Sequence, residues 1–253
     1  MNTQNGARLD AWSDFRSLTA ARIALGRAGG SVPTRELLDF GLAHARARDA
    51  VAMPFDATGM VRSLQSAGLQ AELLHSSVTT RDEYLRRPDL GRRLSDDSRE
   101  KCAVLAQTSS FDLSIIVSDG LSSRATVHAQ PIVISLYARM VSRGWTIAPV
   151  LVVPFARVAI QDEIGSALRA RISLILLGER PGLGSPDSLG AYFVWGPKVG
   201  RSDAERNCVS NIRPEGLPLD AAVATLEYLL TASRHLKLSG IGLKDERQRL
   251  SQL

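Results

Sequence analysis

The residues best suited to chemistry lie in one stretch of the 253, from Arg171 to Gly216. It opens with an apolar run, Ile172 to Leu177, broken only by Ser173. A run that is apolar on both faces suits a strand buried on both sides, as in a parallel sheet covered by helices. Glu179 follows almost at once, and an acid straight after a buried strand needs a partner for its charge. Around it Gly178, Gly182, Gly184 and Pro181 form a loop that a ligand can approach without Cβ obstruction. Ligands of open α/β sheets sit outside the carboxyl ends of the strands, so this loop is the expected ligand edge. Ser185-Pro186-Asp187 then reads as the start of a helix, with a cap, a proline and an acid in order. Beyond a short aromatic strand, Tyr192 to Trp195, Cys208 lies in a polar segment with Asn207, Ser210, Asn211 and Arg213. By itself Cys208 reads as a small buried hydrophobe.

A complete catalytic set does not assemble. His44, His75, His128 and His235 are scattered, and none has metal-ligand spacing with Cys, His or Glu. There is no G-x-S-x-G elbow, Walker loop or C-x-x-C pair. The glycines after Leu177 are spaced G-x-x-x-G-x-G, which differs from the dinucleotide fingerprint G-x-G-x-x-G. The D-x-H-x-x-G motif, which supplies a histidine to the lower face of cobalt, is also absent. Three polar loops follow apparent strands: Ser118-Asp119-Gly120, Ala156-Arg157-Val158 and Gly178-Glu179-Arg180. Asp119 reads as a helix cap rather than a functional acid. These loops describe a ligand edge without acid, base or metal machinery.

The elements that must position those loops follow from periodicity. From residue 111 the pattern is strand, loop, helix, repeated: Leu113–Val117, a helix over 123–143 bent or split by Pro131, Thr146–Val153, a helix over 161–169, and the strand at Ile172. Leu219 to Leu236 is a strong helix. Alternation of this kind predicts an α/β fold with a Rossmann-like, mostly parallel sheet flanked by helices. The first part reads as a mainly helical segment. Phe15–Leu25 has helical spacing and ends at a glycine cluster. Pro33-Thr34 opens a helix to about Val51 with Leu37, Leu38, Leu42 and Ala45 on one face. Asp56 caps a helix through Leu64, Leu69 to Leu73 alternates like a short strand, and Ser95 caps a helix through Ala106. The expected partition is a helical region over 1–108, for subunit contacts, and a ligand-binding domain over 109–253.

Composition narrows the class. With 44% hydrophobic residues the chain can bury a large core. No apolar run approaches the roughly 20 residues of a membrane span, and residues 1–16 lack the apolar core of a secretory signal. Two cysteines far apart, Cys102 and Cys208, do not make a disulfide framework, which points to a reducing cytoplasm. The net charge of +5 is carried by arginines interleaved with acids. That describes a solvated surface better than a nucleic-acid face. The basic run Arg86 to Arg93 reads as a solvated connection or a subunit contact.

Eight segments, in order, carry a family likeness: LTAARIALGRAGGSVPTRELLDF, HARARDAV, RRPDLGRRL, VSDGLS, RVAIQDEIG, LLGERPGLGSPDSLGAYFVW, DAERNCVSNIRPEG and SGIGLKDE. Together, from Leu18 to Glu246, the chain resembles the small (light) subunit of ethanolamine ammonia-lyase. The resemblance implies a carbon–nitrogen lyase in which this chain is the non-catalytic, cofactor-binding subunit. The large subunit, a barrel, would hold ethanolamine and the catalytic residues. The cofactor would be adenosylcobalamin in its base-on form, held where the two subunits meet, for radical conversion of ethanolamine to acetaldehyde and ammonia. It further implies Val158, Glu179 and Cys208 as cofactor contacts, and no catalytic or metal-ligating residue in this chain. Val158 would offer an apolar surface, Glu179 an acceptor for corrin amides, and Cys208 a compact side chain. The implied location is the cytoplasm, including the interior of a bacterial microcompartment, whose residents can carry a longer N-terminal targeting extension. The likeness departs at Ala156, where the family usually has glycine before Arg-Val. Two other classes remain open from the residues: a Rossmann-type nucleotide-binding oxidoreductase, and an assembly module that touches no cofactor.

Overall fold

The computed structural model describes residues 10–107 and 110–246, together with the backbone of 3–4 and 7–8. The apolar runs become strands β1 (Ala71–Leu73), β2 (Leu113–Ser118), β3 (Val150–Val152), β4 (Ile172–Gly178) and β5 (Leu189–Trp195). A sixth strand, β6 (Arg206–Ile212), forms from the polar segment around Cys208, where no strand was expected. The six make one sheet in the order β1-β3-β2-β4-β5-β6. β1, β3, β2 and β4 pair in parallel, while β5 is antiparallel to both β4 and β6. The fold is therefore α/β with a mixed sheet.

Seven α-helices are found among the described residues: α1 (Thr34–Ala52), α2 (Ala57–Ser66), α3 (Arg81–Arg86), α4 (Asp96–Leu105), α5 (Ala129–Ser142), α6 (Ile160–Ala167) and α7 (Leu219–Leu236). Strand periodicity sends Ile115 and Val117 of β2, with Leu174 and Leu176 of β4, into the core beneath α2, α5 and α7. Their neighbours Ile116, Ile175 and Leu177 pack on the other face against Cys102 of α4 and Ile160 and Ile164 of α6. α5 leads from β2 to β3, and α6 leads back past β2 to β4. The strand order therefore reverses at the carboxyl ends of β2 and β4, the place where such sheets bind ligands.

Several expectations need correcting. Phe15–Leu25 is not a helix: only a 3-10 turn, Ser13–Ser17, forms there, and Ala24 is left-handed at φ 51°. In α1 the leucines expected on a packed face, Leu37, Leu38 and Leu42, are exposed, and the small Ala43 and Ala50 pack instead. The helix expected over 123–143 splits into a 3-10 segment, Ser123–His128, and α5. Pro131 lies in the first turn of α5, where its missing N–H breaks no helical bond. Ser185-Pro186-Asp187 starts no helix. Gly182 and Ser185 exchange backbone bonds in a turn that runs into β5, and Asp187 is taken by Arg213 at 3.1 Å and His128 at 3.3 Å. Residues before 108 also build the sheet: β1 is its edge strand, and α2 and α4 pack on its two faces.

Candidate functional site

The site starts at the locked ends of β2 and β4. A Cβ on Gly178 would stand 2.0 Å from the Ser122 carbonyl oxygen, and one on Gly120, at φ +51°, would stand 2.3 Å from that of Gly178. Only glycine permits this approach, and the Leu121 amide seals it by donating to the Gly178 carbonyl at 2.9 Å.

Asp119, next in line, is buried and caps no helix. Its Oδ1 accepts from the Phe155 amide at 2.7 Å, and its Oδ2 from Arg81 Nη1 at 3.1 Å. Burial pushes its carboxyl pKa up, and these two donors oppose that. Arg81 also donates to the Gly120 carbonyl at 2.6 Å and the Val51 carbonyl at 2.7 Å, tying the end of α1 to this corner. Phe155 is held in the left-handed region at φ 57°, a strained position for a residue with a side chain. This bend directs Ala156, Arg157 and Val158 along the sheet edge. Ala156 fits without difficulty: it is fully buried, its amide donates to Ser118 Oγ at 3.1 Å, and its carbonyl accepts from Tyr84 at 3.2 Å. Burial pushes the Tyr84 hydroxyl up to about 12, so it remains a donor. Arg157 lies 4.0 Å over the Tyr84 ring, and its Nη2 donates to the Tyr84 carbonyl.

Glu179 finds its partners inside the chain. Its Oε1 accepts from Ser210 at 2.6 Å and Tyr192 at 3.4 Å, and its Oε2 from Ser188 and from the Asn211 amide at 3.1 Å. Four bonds fill the carboxylate's acceptor sites. No ion pair to Glu179 is found among the described residues, so it serves as the knot joining the β4 loop to β5 and β6. Asn211, which supplies one donor, is also left-handed at φ 56° and lies at the end of β6.

Between these loops and the open face of β5 and β6 runs a two-armed groove. The first arm, about 410 Å³, is lined by Tyr84, Leu121, Glu179 and Arg180 among others; the second, about 1120 Å³, passes Cys208 toward Arg92 and Arg93. Arg157, Val158 and Tyr192 belong to both arms. Val158, Glu179 and Cys208, far apart in sequence, are thus gathered around one groove. Tyr192 and Cys208 are cross-strand partners. Burial raises the pKa of both hydroxyl and thiol. Glu179 raises both further, while the Tyr192 hydroxyl partly offsets the rise at Cys208. Cys208 is therefore a neutral thiol at neutral pH rather than a nucleophile.

The floor of the second arm is fixed by a buried pair. Arg206 makes two parallel bonds of 2.7 Å to Asp162, with both side chains 3% exposed. Burial alone would lower the Arg206 pKa, but the Asp162 carboxylate outweighs it, so the guanidinium stays charged. The groove is consequently equipped for binding: its carboxylate is saturated and its hydroxyl and thiol are protonated. Among the described residues no cluster of His, Cys, Asp or Glu is arranged to hold a metal ion, and no helix is long and apolar enough to cross a membrane. Sequence reasoning placed Arg157 in a ligand-edge loop, Ser210 beside Cys208 and Tyr192 in an aromatic strand, but gave none of the three a role at the site. Alternation along β5 could have flagged Tyr192, which faces away from its apolar neighbour Phe193.

Residues 9–244 match the family model for the ethanolamine ammonia-lyase light chain. Curated relatives carry the name ethanolamine ammonia-lyase small subunit. One from Pseudomonas fluorescens is 50% identical over 240 residues, covering 94% of this chain and 88% of the relative. One from Xanthomonas campestris is 49% identical over 252 residues, covering 98% and 93%. A match over this much of the chain, at about half identity, shows that the chain belongs to the ethanolamine ammonia-lyase small-subunit family.

Proposed function

We propose that this chain is the cofactor-holding, non-catalytic subunit of an ethanolamine ammonia-lyase, and that its groove forms one wall of a site for adenosylcobalamin. The observation that carries this reading is the convergence of Val158, Glu179 and Cys208 on one groove whose β6 side leaves Cys208 and Ser210 exposed. A wall open in this way suits a ligand shared with a second protein.

The residues fit such a cofactor. Its corrin is a broad ring rimmed by amides, so it needs an apolar face and a polar margin. Val158 and the Tyr192 ring supply the first. Ser210, Asn211 and the Tyr192 hydroxyl, held by Glu179, supply the second. Cys208 keeps β6 low enough for close approach, with a side chain that carries no charge at neutral pH. On this reading the cofactor keeps its own axial base. When bound, the cofactor supplies the radical chemistry. This chain's residues bind and orient it, and the large subunit holds ethanolamine. The Rossmann-like reading of the sheet belongs here too: the reversal of strand order between β2 and β4 supports it.

The contact with the large subunit also takes in the N-terminal region. Trp12, Phe15, Leu18, Leu37 and Leu38 are exposed there, and exposed apolar surface of this density marks an interaction site. On this reading the enzyme works in the cytoplasm, inside a microcompartment where the host builds one. The test mixes the purified chain with ethanolamine and adenosylcobalamin, alone and with a large subunit. Acetaldehyde is expected only from the mixture, and production by the chain alone overturns the proposal.

A further inference from the structure

The second arm of the groove has a charge pattern that the apolar and amide contacts above do not use. Its acids are largely spoken for: Asp162 is held by Arg206, Glu163 by Arg99, and Asp89 by Arg87. Arg92 and Arg93 have neither an ion pair nor a side-chain hydrogen bond among the described residues, yet both line the arm. They are held in place by backbone. The Arg92 amide donates to the Asp89 carbonyl at 3.3 Å and the Arg93 amide to that of Leu90 at 3.2 Å. Arg157 then anchors the segment by donating its own amide to the Gly91 carbonyl at 2.7 Å. Gly91 must be glycine for this, since a Cβ there would stand 2.9 Å from the Phe155 carbonyl oxygen. Arg157 itself has a buried Nε with no partner. The first arm has Arg180, which makes no ion pair among the described residues either, but it is a single guanidinium there beside a carboxylate already filled by other donors. Two adjacent unmatched guanidiniums are found in the second arm.

We propose that Arg92 and Arg93, with Arg157 behind them, form a subsite for the phosphodiester of a nucleotide-bearing corrinoid. This inference rests on the cofactor reading above and deepens it. A corrin rim bears neutral amides, and the phosphodiester of the nucleotide arm is the one anionic group such a ligand brings. Guanidinium groups without carboxylate partners are suited to that anion, because they give paired donors in a fixed plane. The arm is also long enough: it runs from Val158 and Cys208, at the corrin contacts, to the 86–93 loop. The subsite assigns that loop to the ligand as well as to the subunit contact expected from its sequence.

The test compares two ligands on the enzyme assembled with its large subunit: cyanocobalamin, and dicyanocobinamide, a corrinoid that lacks the nucleotide arm and its phosphate. Equilibrium dialysis read by corrin absorbance gives both affinities. The preference for cobalamin over cobinamide should shrink by roughly tenfold in Arg92→Ala/Arg93→Ala, as for loss of one strong charge-assisted contact. Cobinamide affinity should stay the same. Higher salt should narrow the wild-type preference and leave the variant's unchanged. Because cobinamide also lacks the axial base, the decisive quantity is the change in preference between wild type and variant. Arg92→Gln and Arg93→Gln each keep one guanidinium for assembly and are held to the same criterion. A preference that survives in the variants overturns the subsite, as does an equal loss for both ligands. Failure of the wild-type complex to bind either corrinoid instead overturns the cofactor reading beneath it.

Discussion

Phe193 and Tyr192 are neighbours on β5 with opposite surroundings. Phe193 is fully buried in the layer under α7 with Leu226 and Leu230, while Tyr192 faces the groove beside Cys208. The same contrast separates the two halves of the sheet. In the parallel half every residue of β2, β3 and β4 is buried, because helices cover both faces. In the antiparallel half β6 buries Arg206, Val209 and Ile212 and leaves Cys208, Ser210 and Asn211 exposed. One half is held by apolar burial. The other is held by the α7 face on one side and by polar ties on the other, namely the Arg206–Asp162 pair and the bonds to Glu179. Closing the second face with another helix would have given a sturdier domain without a groove.

Breaking the apolar side has the largest expected effect. Phe193→Ala leaves a large cavity under α7 and should cost about 4 kcal/mol. In thermal unfolding that corresponds to a midpoint lower by roughly 8–16 °C for a chain of this size. Tyr192→Phe, one residue away, removes only a long hydrogen bond and should shift the midpoint by less than roughly 4 °C. Equal losses from the two variants would mean that the halves do not differ as described.

Arg206→Ala tests the polar tie and ranks second. It leaves the Asp162 carboxylate buried without its partner, a change that costs about 3–5 kcal/mol in general. The lower end, about 3 kcal/mol, is expected here because Asp162 lies in the first turn of α6, where the helix dipole favours an anion. Arg206→Met combined with Asp162→Leu removes both charges and should recover much of the loss. Denaturant unfolding of the two variants measures this. A double variant less stable than Arg206→Ala would show that the pair contributes more than mutual neutralisation.

How much of this was legible differs between the halves for the same reason. Apolar burial leaves a pattern, so the strands at Leu113 and Ile172 and the helix from Leu219 could be read from periodicity, and Asp56 and Ser95 marked their helices by capping. Polar ties leave almost none. β6 reads Arg-Asn-Cys-Val-Ser-Asn-Ile, with two apolar residues in seven, and a register shift opposite Leu189 and Ala191 blurs even their alternation. Ser185-Pro186-Asp187 has the residues of a helix start, but Asp187 is drawn to Arg213 and His128, contacts set by the tertiary fold. The leucines of α1 follow a helical period yet are exposed, because the pattern records that a face is apolar and not what, within the chain, packs on it. At the site, an acid after a buried strand pointed to Glu179. Val158 and Cys208 came only from family likeness, since neither a valine nor a lone cysteine announces a groove.

The smallest effect is also the most discriminating. Glu179→Gln keeps the shape of the side chain but turns one acceptor oxygen into a donor. The amide oxygen can keep the Asn211 N–H and the Ser188 hydroxyl, while its NH2 turns to Ser210 and Tyr192, whose hydroxyls can rotate to accept. What is lost is the charge behind these bonds, so the isolated chain should lose only about 1 kcal/mol. A salt bridge to Arg180, the plainest alternative role for this acid, is not found among the described residues, so loss of an ion pair does not enter. Cys208 reports whether the change is local. Its thiol pKa is raised by burial and by the Glu179 carboxylate, so alkylation in the native state should be slow at neutral pH and quicken only in alkali. Removing the carboxylate moves that curve toward lower pH. Cys102, on the buried face of α4 and pushed up to about 11, should react only on unfolding and serves as the internal control. In the assembled enzyme Glu179→Gln should weaken cobalamin binding by roughly tenfold, one decade per 1.4 kcal/mol, because Tyr192 and Ser210 lose the anchor that aims them. An unshifted alkylation curve together with unchanged affinity would reduce Glu179 to a structural knot and leave the groove to Val158, Tyr192 and the arginines of its second arm.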